Sequence, residues 1–221
     1  MESYQTVYRG GMGEIIEKKS RFIAEVYPIE SEEQAAQILE ETRKKYWDAR
    51  HHCWAYVLGR NPAAERMSDD GEPAGTAGKP ILEVIRGRKL TDVLVIMTRY
   101  FGGTLLGTGG LVRAYTSAAI DGLEHSESIT RIHGIKLLIR AEYTDLGKIQ
   151  YLLASRDVIQ LDPVYTDKVE LTALVPVEQI KCLKADLMEG TNGQAVLDET
   201  LQCWFAQTED GIRIFSEWVE E

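Results

Sequence analysis

Apolar and polar positions along the chain follow two periods, which predicts a mixture of strands and helices. Residues 4–29 are rich in Val, Ile, Tyr and Phe around the GGMG stretch at 10–13, so we expect two strands joined by a turn. Ser31 and Gln34 have the spacing of a capping box, and the apolar residues after them recur at helical spacing, which predicts a helix. The pattern further predicts a strand at 51–59, a turn at 61–64, a loop at 68–80, a short helix at 81–86, a strand buried on both faces at 93–98, and a helix after Gly110 with Leu111, Ala114, Tyr115, Ala118 and Leu123 on its inner side.

A second pattern starts at Arg131. It predicts a strand at 132–143, a helix at 144–156, strands at 158–165 and 168–175, a helix at 176–188 and a strand at 194–207. The order βαββαβ is that of the split βαβ, ferredoxin-like unit. We therefore predict an α+β fold class with two domains, residues 1–130 and residues 131–221.

Charge places any anion-binding surface in the first of these domains. The chain of 221 residues has a formal net charge of −10, which argues against a basic surface that coats nucleic acid. Residues 1–130 hold sixteen Lys and Arg against nineteen Asp and Glu, whereas residues 131–221 hold nine against sixteen. The N-terminus lacks the pattern of a signal peptide and no apolar run approaches the length of a membrane span, so we expect a cytoplasmic protein without a membrane partner. The cysteines are odd in number and widely spaced, which indicates neither a disulfide framework nor a zinc cluster.

The segment 98–119 is the strongest candidate for a binding site. It has no Asp or Glu, and its only full charges are Arg99 and Arg113. Glycine N–H groups and a helix N-terminus favour anions, and Tyr100 and Phe101 are of the type that stacks on nucleic-acid bases. The glycines in question are Gly102, Gly103, Gly107, Gly109 and Gly110. The alternative is that these glycines only allow a tight strand-to-helix turn and that the two aromatic residues belong to the core.

Two other groups of polar side chains are candidates for a metal or catalytic site. Asp69, Asp70 and Glu72 can together hold a Mg²⁺ ion, but a turn in which the carboxylates bond backbone N–H groups explains the same pattern. The histidines and cysteine of HHC at 51–53 have no metal-ligand spacing, which favours a hydrogen-bonded or core role. GTAGKP at 75–80 is not a P-loop, and GTGG at 107–110 is not a dinucleotide fingerprint.

Two stretches together resemble a known family. DDGEPAGTAGKPIL followed by RYFGGTLLGTGGLVRAY is similar to the IMPACT/YigZ family of bacterial proteins, whose eukaryotic relatives regulate translation. The resemblance implies an N-terminal domain like the second domain of a small-subunit ribosomal protein. It also implies a C-terminal ferredoxin-like domain similar to the last domain of the translocation elongation factor. By fold, bacterial members look like nucleic-acid or ribosome binders.

Three functions compete at this point. The first is a non-enzymatic, translation-associated protein that binds RNA or the ribosome through Arg99, Arg113 and the glycine-rich turn, without a cofactor. The second is a Mg²⁺-dependent enzyme acting on a phosphorylated small molecule or nucleotide, with the metal at Asp69, Asp70 and Glu72. The third is a protein-interaction module whose acidic C-terminal half docks a protein partner.

Overall fold

The computed structural model describes residues 3–60 and 63–216. The chain divides into two compact units, one of residues 4–130 and one from residue 131 onward. Both units combine strands and helices, so the predicted α+β class is confirmed. Part of the turn predicted at 61–64 lies outside the described residues.

The first unit is built on a five-stranded antiparallel sheet of order β2-β3-β7-β4-β5. A short parallel pair, β1 with β6, lies outside this sheet. The elements are β1 (Tyr4–Arg9), β2 (Met12–Glu17), β3 (Ser20–Pro28), α1 (Glu32–Lys45), β4 (His51–Leu58), β5 (Ala64–Ser68), α2 (Gly78–Gly87), β6 (Leu90–Thr91), β7 (Val93–Tyr100) and α3 (Thr108–Glu124). The short strands β5 and β6 were not predicted from the sequence.

The central strand β7 is buried on both faces, as predicted. Val95 and Met97 pack in the larger core together with residues of α2 and α3. Leu94 and Ile96 pack on the opposite face with residues of α1. The first unit therefore has three layers, with α1 on one side of the sheet and α2 and α3 on the other.

The prediction of two strands in residues 4–29 is wrong, because the structure has three. The hairpin turn lies at Lys18 and Lys19, which both have positive φ values of 45° and 67° and join β2 to β3. Two consecutive residues with positive φ match the right-handed twist of the flanking strands. Gly10 and Gly11 lie between β1 and β2 and are closely packed, because a Cβ would lie 2.0 Å from the carbonyl oxygen of Val26 at Gly10 and 2.2 Å from that of His125 at Gly11.

The predicted helix starts are confirmed with small shifts. Ser31 is the N-cap of α1 and accepts a hydrogen bond from the N–H of Gln34 at 3.1 Å. Helix α3 begins at Thr108, three residues earlier than predicted, and it buries the predicted side chains. Its early start places Gly109 and Gly110 in the first helical turn.

The chain from residue 131 onward has the ferredoxin-like topology. Its elements are β8 (Glu127–Ala141, which contains the division between the units), α4 (Leu146–Ala154, after a 3₁₀ turn), β9 (Ile159–Gln160), β10 (Val164–Tyr165), β11 (Val169–Pro176), α5 (Val177–Gly190), β12 (Val196–Thr208) and β13 (Gly211–Ser216). Strand β8 lies between β11 and β12, all antiparallel, and β11 also pairs with β9 and β10. The strand predicted at 158–165 is thus two short strands, and β13, which pairs with β12, is an addition to the predicted order.

The core of this second unit lies between its sheet and its two helices. Leu137 and Ile139 of β8 and Leu171 of β11 pack against Ile149 of α4 and Leu183 of α5. The helices therefore cover one face of the sheet, as in the split βαβ arrangement. Among the described residues, no helix is long and apolar enough to cross a membrane.

Candidate functional site

Arg99 is not a free surface cation, which corrects the sequence prediction. It lies near the end of β7 with its side chain 6% exposed, and its Nη1 is 2.5 Å from a carboxylate oxygen of Glu72, whose side chain is 4% exposed. The rings of Phe22 and Phe101 lie 5.2 Å and 5.7 Å from its guanidinium carbon. A buried cation requires such a partner, since an unpaired one has a large desolvation cost.

A hydrogen-bond network continues from this ion pair into the core. The hydroxyl of Tyr115 in α3 donates to the same oxygen of Glu72 at 2.8 Å. The thiol of Cys53 in β4 lies 3.4 Å from that hydroxyl and 3.0 Å from the carbonyl oxygen of Asp69. Ser20 Oγ accepts from the backbone N–H of Gly102 at 3.1 Å. The network thus joins β4, the 69–72 loop, β7 and α3 around the start of the glycine-rich turn.

Two ionisable groups in this network, the Cys53 thiol and the Tyr115 phenol, are protonated at neutral pH. Burial raises the pKa of the Cys53 thiol to about 12, with a further contribution from the negative charge of Glu72. Burial is also the main reason that the pKa of the Tyr115 phenol is raised. Cys53 is therefore a protonated core thiol and not a nucleophile, because only the thiolate is reactive.

Replacing Cys53 with Ala tests this protonation state. Because the folded-state pKa of about 12 exceeds the reference value of 9.0, the thiol contributes stability below pH 9.0 that is lost as the pH rises toward 12. We expect the free energy of unfolding of the unaltered protein to fall, relative to Cys53→Ala, by about 1.4 kcal/mol per pH unit between those values. Urea unfolding at a series of pH values measures this difference. Cys182→Ala, which removes an exposed thiol, is the control; parallel profiles for Cys53→Ala and the unaltered protein would contradict the assignment.

Asp69 binds backbone N–H groups, as the turn interpretation predicts. One of its carboxylate oxygens accepts from the N–H groups of Ala77 and Gly78 at 3.0 Å and 2.8 Å, and the other accepts from Gly75 at 2.8 Å. The N-cap residue of α2 is Ala77, which has no side chain that can cap. Asp69 therefore supplies the anion that the start of α2 favours.

Asp70 and Glu72 are likewise occupied by protein partners. Asp70 accepts from the backbone N–H of His52 at 2.6 Å and from Arg43 at 3.3 Å. Its own carbonyl lies 2.8 Å from Nδ1 of His51. Within residues 3–60 and 63–216, no group of three His, Cys, Asp or Glu is arranged to hold a metal ion. The three carboxylates therefore do not fit a Mg²⁺ site, because each one already satisfies donors of the protein.

The glycines of the turn have two different physical roles. A Cβ on Gly102 would lie 2.0 Å from the backbone carbon of Lys19, so only glycine allows this contact with the β2–β3 hairpin. Gly107 is the N-cap of α3 with φ of 70°, a conformation that favours glycine. Packing and turn geometry thus explain part of the pattern, as the alternative interpretation proposed.

Arg113 differs from Arg99 because it is exposed and borders an open cleft. The cleft, of about 280 Å³, lies between the β2–β3 hairpin and α3. Within the described part of the chain, Arg113 makes no hydrogen bond or ion pair, and the first turn of α3 has no acidic residue. The lining residues are Ile15, Glu17, Lys18, Leu106, Gly110, Arg113, Ala114 and Ser117. Lys18 has no sequence signal that marks it as a site residue, because it lies about 95 positions before Arg113 and only the fold brings it to the same cleft.

The two aromatic residues of the turn have different environments. Phe101 is 44% exposed, so its ring is available to a ligand. Tyr100 donates its hydroxyl to Asp48 at 2.8 Å and lies on the α1 side of the sheet, opposite to Arg99. The structure places Arg99 in the core. The predicted anion-binding residues that are exposed or at the cleft are Phe101, Gly103, Gly107, Gly109, Gly110 and Arg113.

Comparison with known proteins identifies the family. Residues 18–123 match the model of the Impact N-terminal domain, and residues 139–194 match a domain of unknown function. The chain is 38% identical to the IMPACT family member YvyE of Bacillus subtilis over 199 residues, which cover 90% of this chain and 92% of that protein. It is 35% identical to YigZ of Escherichia coli, over 81% of this chain and 89% of the other.

A solved structure agrees with this assignment. A crystal structure described as that of a hypothetical protein is 33% identical, with a TM-score of 0.59, and the match covers 90% of this chain and 98% of that one. Since the sequence similarity to named members extends over most of both chains, this protein belongs to the IMPACT family.

Proposed function

We propose that this protein is a non-enzymatic, translation-associated protein that binds RNA or the ribosome through the cleft between the β2–β3 hairpin and α3. The observation that carries the proposal is the pair of exposed cations, Lys18 and Arg113, which outnumber the single carboxylate of Glu17 in the cleft. The first turn of α3 beside them has no acidic residue. Such cations attract phosphate oxygens, and the exposed ring of Phe101 nearby in the sequence supplies a stacking surface.

Support for a role in translation comes from the family resemblance. The eukaryotic relatives in the family are expected to regulate translation, and the N-terminal domain is expected to resemble a ribosomal-protein domain. A cytoplasmic location, where ribosomes are found, is part of the same proposal. The two-domain division at residues 130 and 131 leaves the cleft entirely within the first unit.

The competing enzymatic function has less support. It required Asp69, Asp70 and Glu72 to hold Mg²⁺ while Arg99, Arg113 and the helix N-terminus held phosphate. The three carboxylates instead bind the start of α2, the backbone N–H of His52 and the Arg99 guanidinium, respectively. A phosphate-binding role that uses Lys18 and Arg113 does not depend on those carboxylates.

Charge reversal at the cleft tests the proposal. We expect Lys18→Glu and Arg113→Glu each to weaken binding of a labelled single-stranded RNA. Each is also expected to lower the slope of log affinity against log salt concentration by about 0.7, the contribution of one phosphate contact. Fluorescence anisotropy over a series of salt concentrations measures the slope for RNA. Co-sedimentation with ribosomes measures whether each variant still associates with the ribosome.

The matched control is Lys44→Glu, which makes the same change of charge on α1, on the other side of the sheet. It is expected to leave both the affinity and the salt slope unchanged. An unaltered protein that associates with neither RNA nor ribosomes at low ionic strength would overturn the proposed function.

A further inference from the structure

Strand β5 (Ala64–Ser68) is the edge of the first unit's sheet. It pairs with β4 on one side, and no described strand pairs with its other side. An edge strand presents unpaired backbone N–H and C=O groups to any extended chain that approaches. In this protein, its two charged side chains are both bound by helices: Glu65 accepts from Arg86 of α2 at 3.1 Å, and Arg66 pairs with Glu32 of α1 at 3.1 Å.

An apolar pocket opens beside this edge, on the α1 side of the sheet. Its volume is about 200 Å³. The rings of Trp54 and Tyr56 in β4 form one wall and are stacked at 5.7 Å between centroids, with an angle of 7° between planes. Ala35, Ala36 and Leu39 of α1 form the opposite wall. Glu32 and Arg66 lie at the pocket as its polar members, so the site combines an apolar interior with a charged rim.

The charge at the start of α1 indicates which partner fits. Glu30, Glu32 and Glu33 lie close together in the sequence at this end of the helix, and Arg66 forms an ion pair with Glu32 alone among them. The surface beside the pocket is therefore negative. A partner with basic residues next to an apolar side chain complements it.

We propose that the outer edge of β5 binds an extended protein segment as an additional strand, with an apolar side chain of that segment in the Trp54–Tyr56 pocket and flanking Lys or Arg residues facing Glu30 and Glu33. Strand addition supplies affinity through main-chain hydrogen bonds, and a pocket for alternate side chains supplies specificity. The proposal is independent of the phosphate-binding cleft, which lies on the α3 side of the sheet.

Arg66 has to move aside for this mode of binding, and the structure allows it. An added strand lies about 4.8 Å beyond β5, so a side chain on its α1 face lies next to Arg66 and faces the mouth of the pocket once Arg66 has moved. The Arg66 side chain is 62% exposed and that of Glu32 is 40% exposed. Ion pairs at such exposed positions contribute little to stability, so the main-chain hydrogen bonds of a bound strand offset the loss of this one.

The test uses a defined library of acetylated, amidated hexapeptides. Each peptide carries Lys at both ends and a single Leu, Ile, Phe or Trp at a varied central position among Thr and Ser. Binding to the full-length protein is measured by fluorescence anisotropy, and amide chemical shifts with hydrogen exchange locate the bound peptide. We expect a preferred apolar position, together with exchange protection of backbone amides within Ala64–Ser68.

Three variants separate the contributions. Ala36→Trp fills the pocket from an exposed helix position and is expected to weaken the best peptide at least about tenfold, since it excludes the apolar anchor. Glu33→Lys is expected to weaken it several-fold, and more so at low salt. The matched control is Glu41→Lys, the same change at the far end of α1, which is expected to leave peptide affinity unchanged.

The outcomes divide clearly. Peptide binding that protects β5 amides and is lost in Ala36→Trp supports the proposal. The proposal is overturned if no library peptide binds, or if Ala36→Trp binds the best peptide as tightly as the unaltered protein does. It is also overturned if the peptide shifts the amide resonances of the pocket residues without protecting the β5 amides from hydrogen exchange. Analytical sedimentation of the unaltered protein and of Ala36→Trp completes the test. If the unaltered protein is a dimer and Ala36→Trp is a monomer, this face binds a second copy of the chain and the proposal is overturned.

Discussion

Replacing Glu72 with Leu is expected to lower the free energy of unfolding by about 3–5 kcal/mol. The substitution leaves the buried guanidinium of Arg99 without its carboxylate and removes the acceptor of the Tyr115 hydroxyl. Arg99 Nε is already buried without a hydrogen-bond partner among the described residues. Without Glu72, the guanidinium keeps a 3.4 Å hydrogen bond to Ser20 Oγ and the contacts with two phenylalanine rings, and none of these carries a negative charge. Urea-induced unfolding at neutral pH measures the change.

Two further variants distinguish the loss of a buried pair from a general effect of removing a carboxylate. Glu14→Gln removes the acidic partner of Arg21, a pair with side chains that are 37% and 50% exposed, and should cost about 1 kcal/mol or less. The double variant Glu72→Leu with Arg99→Met removes both charges and is expected to recover most of the lost stability. A Glu72→Leu protein destabilised by no more than Glu14→Gln would contradict the importance assigned to the pair.

Replacing Gly102 with Ala is the second change with a large expected effect. The added Cβ would lie 2.0 Å from the carbonyl carbon of Lys19 and 2.2 Å from the backbone nitrogen of Ser20. Both atoms are backbone, so relief requires the glycine-rich turn to separate from the β2–β3 hairpin. We expect a loss of about 3 kcal/mol, at the upper end of the usual range for overpacking.

The same variant should also affect RNA binding, because the hairpin that moves carries Lys18. For the effect on stability, Gly109→Ala is the matched control: the nearest neighbour of its Cβ would be Arg113 Nη1 at 3.6 Å, an ordinary contact, and the position is helical. A glycine-to-alanine change there should be neutral or stabilising by up to about 1 kcal/mol. Thermal unfolding of the two variants side by side measures the difference, and equal midpoints would contradict the packing role of Gly102.

Local sequence was sufficient for the elements whose formation depends on neighbours along the chain. The Ser31 cap and the buried strand around Val95 were predicted because capping and continuous apolar runs act within a few residues. The turn at Lys18 and Lys19 was missed because the glycines at 10–13 have the stronger turn composition. Lysine adopts a positive φ here because the pairing of β2 with β3 imposes it.

The candidate site was less predictable because its properties depend on contacts between distant residues. Arg99 and Glu72 are 27 positions apart, and no local pattern indicates that each neutralises the other. The acid-free segment around Arg99 therefore suggested a surface cation where the fold has a core ion pair. Asp69 is the opposite case, because the sequence of its loop indicates both a Mg²⁺ site and a turn in which carboxylates bond backbone N–H groups. The hydrogen bonds of Asp69 to backbone N–H groups decide for the turn.

The strand order has a consequence for synthesis of the chain. Strand β7 lies between β3 and β4, but it is the last of the five sheet strands to be translated. The β2–β3 and β4–β5 hairpins can therefore form early, whereas neither can join the other until residues 93–100 have emerged. During that interval the inner edges of β3 and β4 are unpaired and apolar. The nascent chain thus carries two open edges at once, and the period of greatest exposure to misassembly ends only when the central strand inserts.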